Sequence, residues 1–159
     1  ALVFATISSL RNAQFSKNQA QATKLAQEGL ERVKTGRDRN QSISALDDTQ
    51  VTSWNGDNGG AGSVWNYQIT GTSSNCENLT VQDSKCYFKI STDGSLQNIG
   101  FSASSFPAAA ESIPPFERAI TLSDDSSNYN SQKEVTAIVT WTDFSGPHES
   151  NLTTILRKI

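Results

Sequence analysis

The sequence predicts an α+β fold, a long N-terminal α-helix packed on an antiparallel β-sheet, and three observations carry that expectation. Residues 1 to about 35 contain no proline and a single glycine, Gly29. From Asp47 to Gly62 the chain is dense in turn residues, with Trp54-Asn55-Gly56-Asp57-Asn58-Gly59-Gly60 at its centre. Beyond it the apolar residues alternate with polar ones, the period of a half-buried strand. One helix followed by a run of strands segregates the elements, which is the α+β arrangement.

In the helix, Ala22, Leu25, Ala26, Leu30 and Val33 recur at i, i+3 and i+4 and make one apolar stripe, the candidate helix–sheet core. Lys17, Gln21, Lys24, Glu28, Glu31 and Arg32 lie opposite, and Lys24–Glu28 and Glu28–Arg32 are i,i+4 pairs. Gly36 reads as the stop, with Arg37 and Asp38 just beyond. Such a helix reaches about 50 Å at 1.5 Å per residue, longer than a domain of this size needs. Its first third is patterned differently, because Leu2, Val3, Phe4, Ile7 and Leu10 are apolar on several sides. The expected division is therefore a helical part, residues 1–38, of which 1–15 protrude and 16–38 pack on the sheet. Residues 39–159 form a connecting loop and the sheet. The opening Ala1-Leu2-Val3-Phe4-Ala5-Thr6-Ile7 reads as the tail of a hydrophobic helix that begins upstream, with a frayed amphipathic end as the other reading. The absence of Met fits processing or a start inside a longer sequence.

Five alternating runs follow. Trp65, Tyr67 and Ile69 make the first, and Phe88 and Ile90 the second, ended by the turn Thr92-Asp93-Gly94-Ser95. Residues 102–115, with Pro107, Pro114 and Pro115, read as an irregular connection. Phe116, Arg118, Ile120 and Leu122 make the third run, Val135, Ala137, Val139 and Trp141 the fourth, and Leu152, Thr154 and Leu156 the fifth. The last two are joined across Phe144-Ser145-Gly146-Pro147-His148, which suits a hairpin loop.

Composition narrows the function classes. Hydrophobic residues are 35% and charged residues 18%, both low, and 22 Ser, 15 Thr and 12 Asn fill the gap with neutral polar surface. A net charge of −3 without a Lys/Arg cluster argues against nucleic acid, whose binding rests on a basic footprint. Cys76 and Cys86 lack the paired spacing and histidine partners of a zinc site. An even count at close spacing suggests a disulfide and an oxidising compartment, two buried free thiols being the alternative.

No catalytic constellation is apparent. The single histidine, His148, falls in the expected hairpin tip, where a solvated role is the ordinary one, and no Gly-x-Ser-x-Gly elbow exists. Asp57-Asn58 and Asp124-Asp125-Ser126-Ser127-Asn128 are the better candidates for calcium, but solvated turns explain them as well and the EF-hand spacing is missing. Gly56 to Gly62 lacks the Gly-Lys-Ser/Thr end of a phosphate loop. No cofactor, metal or catalytic residue is therefore expected. Asn40-Gln41-Ser42, Asn78-Leu79-Thr80 and Asn151-Leu152-Thr153 match the N-glycosylation pattern, which arises readily by chance in so Asn/Ser/Thr-rich a chain.

The stretches Ser8-Ser9-Leu10-Arg11-Asn12-Ala13-Gln14 and Ala22-Thr23-Lys24-Leu25-Ala26-Gln27-Glu28-Gly29-Leu30-Glu31, with Arg37-Asp38 close behind, resemble the second half of a bacterial type IV pilin helix. Pro115-Phe116-Glu117-Arg118-Ala119-Ile120-Thr121-Leu122 and Val135-Thr136-Ala137-Ile138-Val139-Thr140-Trp141 resemble the sheet strands of the same family. The family's peptidase site and the glutamate near its mature N-terminus have no counterpart in this sequence. Its C-terminal disulfide loop does not carry over either, because Cys76 and Cys86 lie between the helix and the main strands.

The resemblance implies a structural subunit of an extracellular pilus filament used for adhesion or motility. Such a subunit is held in the inner membrane before assembly and is often methylated. Leu2, Val3, Phe4, Ile7 and Leu10 would pack helix against helix in a helical homopolymer. Other pilin-like subunits and the inner-membrane assembly machinery are the further partners implied. A minor pilin or type II secretion pseudopilin is the alternative within the resemblance. A secreted adhesin or carbohydrate-binding module, with Trp54 and Trp65 as its platform, is the alternative outside it.

Overall fold

A computed structural model describes residues 2–44, 52–56, 62–69, 76, 85–102, 106–124 and 127–159. The helix α1 spans Leu2–Asp38. Strands β1 (Ser42–Ser44), β2 (Thr52–Ser53) and β3 (Gly62–Ser63) precede a 3₁₀ turn at Val64–Asn66. After it come β4 (Lys85–Ile90), β5 (Leu96–Ser102), β6 (Glu111–Ile113), β7 (Phe116–Ser123), β8 (Gln132–Asp143) and β9 (Gly146–Arg157).

Among the described residues these nine strands form one sheet in the order β3-β2-β1-β5-β4-β7-β8-β9, with β6 paired to β7. The fold is α+β. The sheet is mixed rather than purely antiparallel, because β1 runs parallel to β5 and β2 parallel to β3. Both parallel pairs involve strands of only two or three residues on the loop side. The long β7, β8 and β9 are antiparallel, with Phe116 opposite Trp141 and Trp141 opposite His148.

Two expectations are corrected, and one strand was not foreseen. Trp65, Tyr67 and Ile69 do not form a strand. Ser63 takes the N-cap of the 3₁₀ turn, its hydroxyl accepting from the Trp65 N–H, and Trp65 and Ile69 are buried from that irregular backbone. The strand β5 was not legible, since Gln97, Asn98 and Gly100 break its alternation. Pairing to β4 on one side and β1 on the other fixes it instead. Gly36 does not end the helix, which runs on to Asp38. The stop is Asn40, at φ 53°, where the N–H of Asn40 reaches the Arg37 carbonyl and that of Gln41 the Gly36 carbonyl. This is the 5→2 and 6→1 pattern of a Schellman motif, and Asn tolerates its left-handed position better than most residues.

Gly36 serves a different purpose. A Cβ there would stand 2.2 Å from the Gly94 carbonyl oxygen, so the helix backbone rides directly on the β4–β5 turn. Gly94, at φ +89°, is bare for the same reason, a Cβ on it falling 2.7 Å from the Gly36 Cα.

The packed face of α1 begins at Asn18 and continues through Ala22, Ala26, Gly29, Leu30, Val33 and Gly36. Leu25 is half-buried against the same cluster. The small residues let the helix lie close on β8 and β9, its main contacts. Beneath it sit Phe88, Phe116, Ile120, Leu122, Val135, Ala137, Val139, Trp141 and Leu156. A smaller cluster, Tyr87, Ala119 and Ile138, lies apart from this core, covered by Ile99, Phe106 and Ala110.

Candidate functional site: the exposed end of the helix

From Leu2 to Lys17 every residue of α1 is exposed, while the rest of the helix is seated on the sheet. Leu2 is 85%, Phe4 80% and Leu10 66% accessible, with Val3 and Ile7 also exposed. The residues expected at the assembly surface are thus together on a projecting helix end that carries no charge before Arg11. No helix among the described residues is long and apolar enough to cross a membrane.

The boundary between projecting and seated helix is built by the tip of the β8–β9 hairpin. Phe144, 87% accessible, lies at that tip, and the Arg11 guanidinium carbon stands 6.0 Å from its ring centroid. Phe15 meets the His148 ring edge-on at 5.1 Å, and His148 stacks on Trp141 at 5.2 Å. Of the residues expected to protrude, Arg11 and Phe15 therefore already touch the sheet domain. A groove lined by Leu10, Gln14, Asn18, Pro115, Thr142 and Phe144 runs along the same seam.

His148 is not a solvated loop residue but part of β9. Its Nε2 lies 2.8 Å from Asp143 Oδ1 and 2.9 Å from Ser145 Oγ. The Ser145 hydroxyl and N–H both donate to that same Asp143 oxygen, at 2.7 and 2.8 Å. A nucleophilic triad needs the carboxylate on one imidazole nitrogen and the hydroxyl on the other. Here both meet at a single nitrogen, so no proton can be relayed through the ring, and the cluster acts as a clasp on the turn. The Ser145 hydroxyl, then its N–H, and to a lesser degree His148, hold the Asp143 carboxyl down to about 2.

Two buried cations tie the domain together. Arg118, on β7, donates from Nε to Glu111 Oε2 at 2.8 Å and from Nη1 to the Leu25 carbonyl at 2.7 Å. Its Nη2 lies 2.7 Å from Glu111 Oε2 as a charge contact without hydrogen-bond alignment. Glu111 also faces Arg32 of the helix at 3.5 Å, so β6, β7 and α1 share one ionic network. Lys133, on β8, is fully buried, donating to the Tyr67 carbonyl at 2.6 Å and pairing with Asp124. Burial pushes its ammonium below the usual lysine range, against the opposing pull of Asp124. Asp124 in turn accepts from the Ile69 N–H at 2.9 Å, so this carboxylate is spent on an internal pair rather than displayed for calcium.

Cys76 and Cys86 are joined, with Cα atoms 5.7 Å apart, inside the range a disulfide spans. Trp54 and Trp65 pack on each other at 5.8 Å and are buried, so they present no open platform. Asp47, Asp48, Asp57, Asn58, Asp125 and the sequon at Asn78 lie outside the described residues. Among the described residues no cluster of His, Cys, Asp or Glu could hold a metal.

Sequence reasoning missed Phe144 and Phe15 as partners of the helix boundary. An aromatic residue in a turn otherwise made of Asp, Ser and Gly was the available signal for the first. No protein-family model, curated protein or solved structure matches this chain.

Proposed function

We propose that the chain is a structural subunit of an extracellular filament of the type IV pilin kind, assembling with like copies through the N-terminal end of α1. The observation that carries this reading is the projecting apolar segment Leu2–Leu10, exposed on a helix whose remainder is locked onto a polar domain. Contiguous apolar surface of that kind is a liability in water. Burying it against equivalent helices returns about 25 cal/mol per Å² of apolar area. A helix end on one copy meeting a different surface on the next is a heterologous contact, and when its rotation does not close, it yields an open helical polymer. The neutral Ser/Thr/Asn-rich strands then coat the outside, and the Cys76–Cys86 bridge suits an oxidising exterior. Pilin-like minor subunits and the inner-membrane machinery that assembles filaments are the partners this reading entails.

Phe4→Asp combined with Ile7→Lys, expressed in the cells that make the protein, tests it. Filaments should vanish from electron micrographs while the circular dichroism of the purified domain stays that of the parent, because both side chains lie outside the helix–sheet core. Normal filaments from the double variant would reject this assembly surface. A loss of only a few filaments per cell, with the bulk intact, would move the chain to a minor or priming subunit.

A further inference from the structure

Three sequons occur in the sequence, and the fold treats them unequally. Asn40 is the left-handed cap of α1. Its side-chain nitrogen donates to the Gly56 carbonyl and its oxygen accepts from the Asn55 N–H, both at 2.7 Å. A substituent on that nitrogen would break the cap and displace the loop it holds. Asn78 lies outside the described residues. Asn151 is different: it is exposed, on β9, and its side-chain nitrogen donates to Glu149 Oε1 at 2.6 Å, its one side-chain partner among the described residues.

Strand geometry sets out the rest of the motif. Successive side chains of a strand alternate, so Glu149, Asn151 and Thr153 share one face of β9 while Ser150, Leu152 and Leu156 turn toward the helix side. All three outward residues are exposed. Their cross-strand neighbours on β8 are Thr140, Ile138 and Thr136. The Thr153 hydroxyl, which the acceptor pattern requires two residues after the asparagine, stands 2.8 Å from the Thr136 hydroxyl and remains at the surface. β9 is also an edge strand, hydrogen-bonded to β8 alone among the described residues, so no further described strand stands on its outer side.

We infer that Asn151 is an N-glycosylation site, taking a sugar from a polyprenyl-diphosphate donor on the far side of the membrane. The Cys76–Cys86 disulfide fits an oxidising compartment on that side of a membrane. In the transfer, Asn151 Nδ2 attacks the anomeric carbon held by a glycosyltransferase. A C–N bond forms, the bond from that carbon to the phosphate oxygen breaks, the polyprenyl diphosphate leaves with the electron pair, and Nδ2 gives up one proton to the transferase. The glycan then projects from the face of the sheet opposite α1, where it disturbs neither the helix seam nor the projecting helix end. The inference is independent of the filament reading.

The test is mass spectrometry of the chain purified from the cells that make it, intact and as peptides fragmented by electron transfer. The wild type should carry a glycan increment located on Asn151. The increment should be lost in Asn151→Gln and in Thr153→Ala and kept in Thr153→Ser, with unchanged circular dichroism throughout. A wild-type mass equal to that of the oxidised polypeptide overturns the inference, as does an increment that survives Asn151→Gln or sits on Asn40.

Discussion

Replacing Gly36 by alanine places a methyl carbon 2.2 Å from the carbonyl oxygen of Gly94 and 2.9 Å from its carbonyl carbon. Both are backbone atoms of a turn fixed by the Ser91–Ser95 and Gly94–Ser91 hydrogen bonds, so no side chain can swing aside. To restore an ordinary contact of about 3.4 Å, the end of α1 must lift by about 1.2 Å from the turn. Over-packing of this severity costs about 3 kcal/mol, the upper end of the usual span. Alanine returns about 1 kcal/mol through its better helix propensity. The net expectation is a loss of about 2 kcal/mol, or a fall in Tm of roughly 4–8 °C for a domain of this size. Gly29→Ala is the internal control. Its Cβ would meet the Arg118 Cδ at 3.1 Å and the Ile120 Cδ1 at 3.4 Å, side-chain atoms that can yield by a few tenths of an ångström. That variant should stay within about 1 kcal/mol of the parent, since propensity and crowding nearly cancel. Urea unfolding followed by far-ultraviolet circular dichroism measures both. A Gly36→Ala protein as stable as the parent would refute the backbone-to-backbone interlock.

Removing the buried ammonium with Lys133→Met leaves Asp124 buried and unpaired, and should cost about 3–5 kcal/mol by urea unfolding. The double variant with Asp124→Leu should recover much of that loss, and failure to recover any would mean that the pair is not the cause. The Asp143 clasp predicts a pH effect of defined sign. Its folded pKa, held at about 2, lies below the unfolded value near 3.9, so its contribution is complete above that value and is lost as the pH falls through about 2. A carboxyl ¹³C NMR titration should show this midpoint, moving up toward 3.9 in Ser145→Ala, and an unchanged midpoint in that variant would remove the hydroxyl as its main cause.

The helical stripe and the long strands were legible because each is periodic and the period reports the buried face. Ala22, Ala26, Leu30 and Val33 follow the helix, and Val135, Ala137, Val139 and Trp141 follow the strand. What escaped was set by contacts distant in sequence. Gly36 reads locally as a helix stop, and only its meeting with Gly94 shows it to be a close approach. Strand β5 has polar residues where apolar ones were sought, with Asn98 donating to Cys86 Sγ at 3.2 Å. Arg118 and Lys133 sit at core positions of their strands, and a sequence pattern does not reveal whether such a cation finds a buried carboxylate. For the candidate site, the apolar residues of the helix end were readable one by one. Their termination at a wall of Phe144, Phe15 and His148 was not, since that wall joins residues more than a hundred positions apart.

The seating of α1 has a mechanical consequence. Its contacts run from Asn18 to Gly36, about 27 Å along the axis at 1.5 Å per residue. A pull applied at the projecting end acts along that axis and loads the seam in shear. The alanine and glycine contacts, the Arg118 bond to the Leu25 carbonyl and the Gly36–Gly94 interlock then bear the load in parallel. Lifting the helix sideways would instead peel them apart in succession. The domain is thus coupled to its own helix most firmly along the helix axis, the direction in which tension would run in the proposed filament.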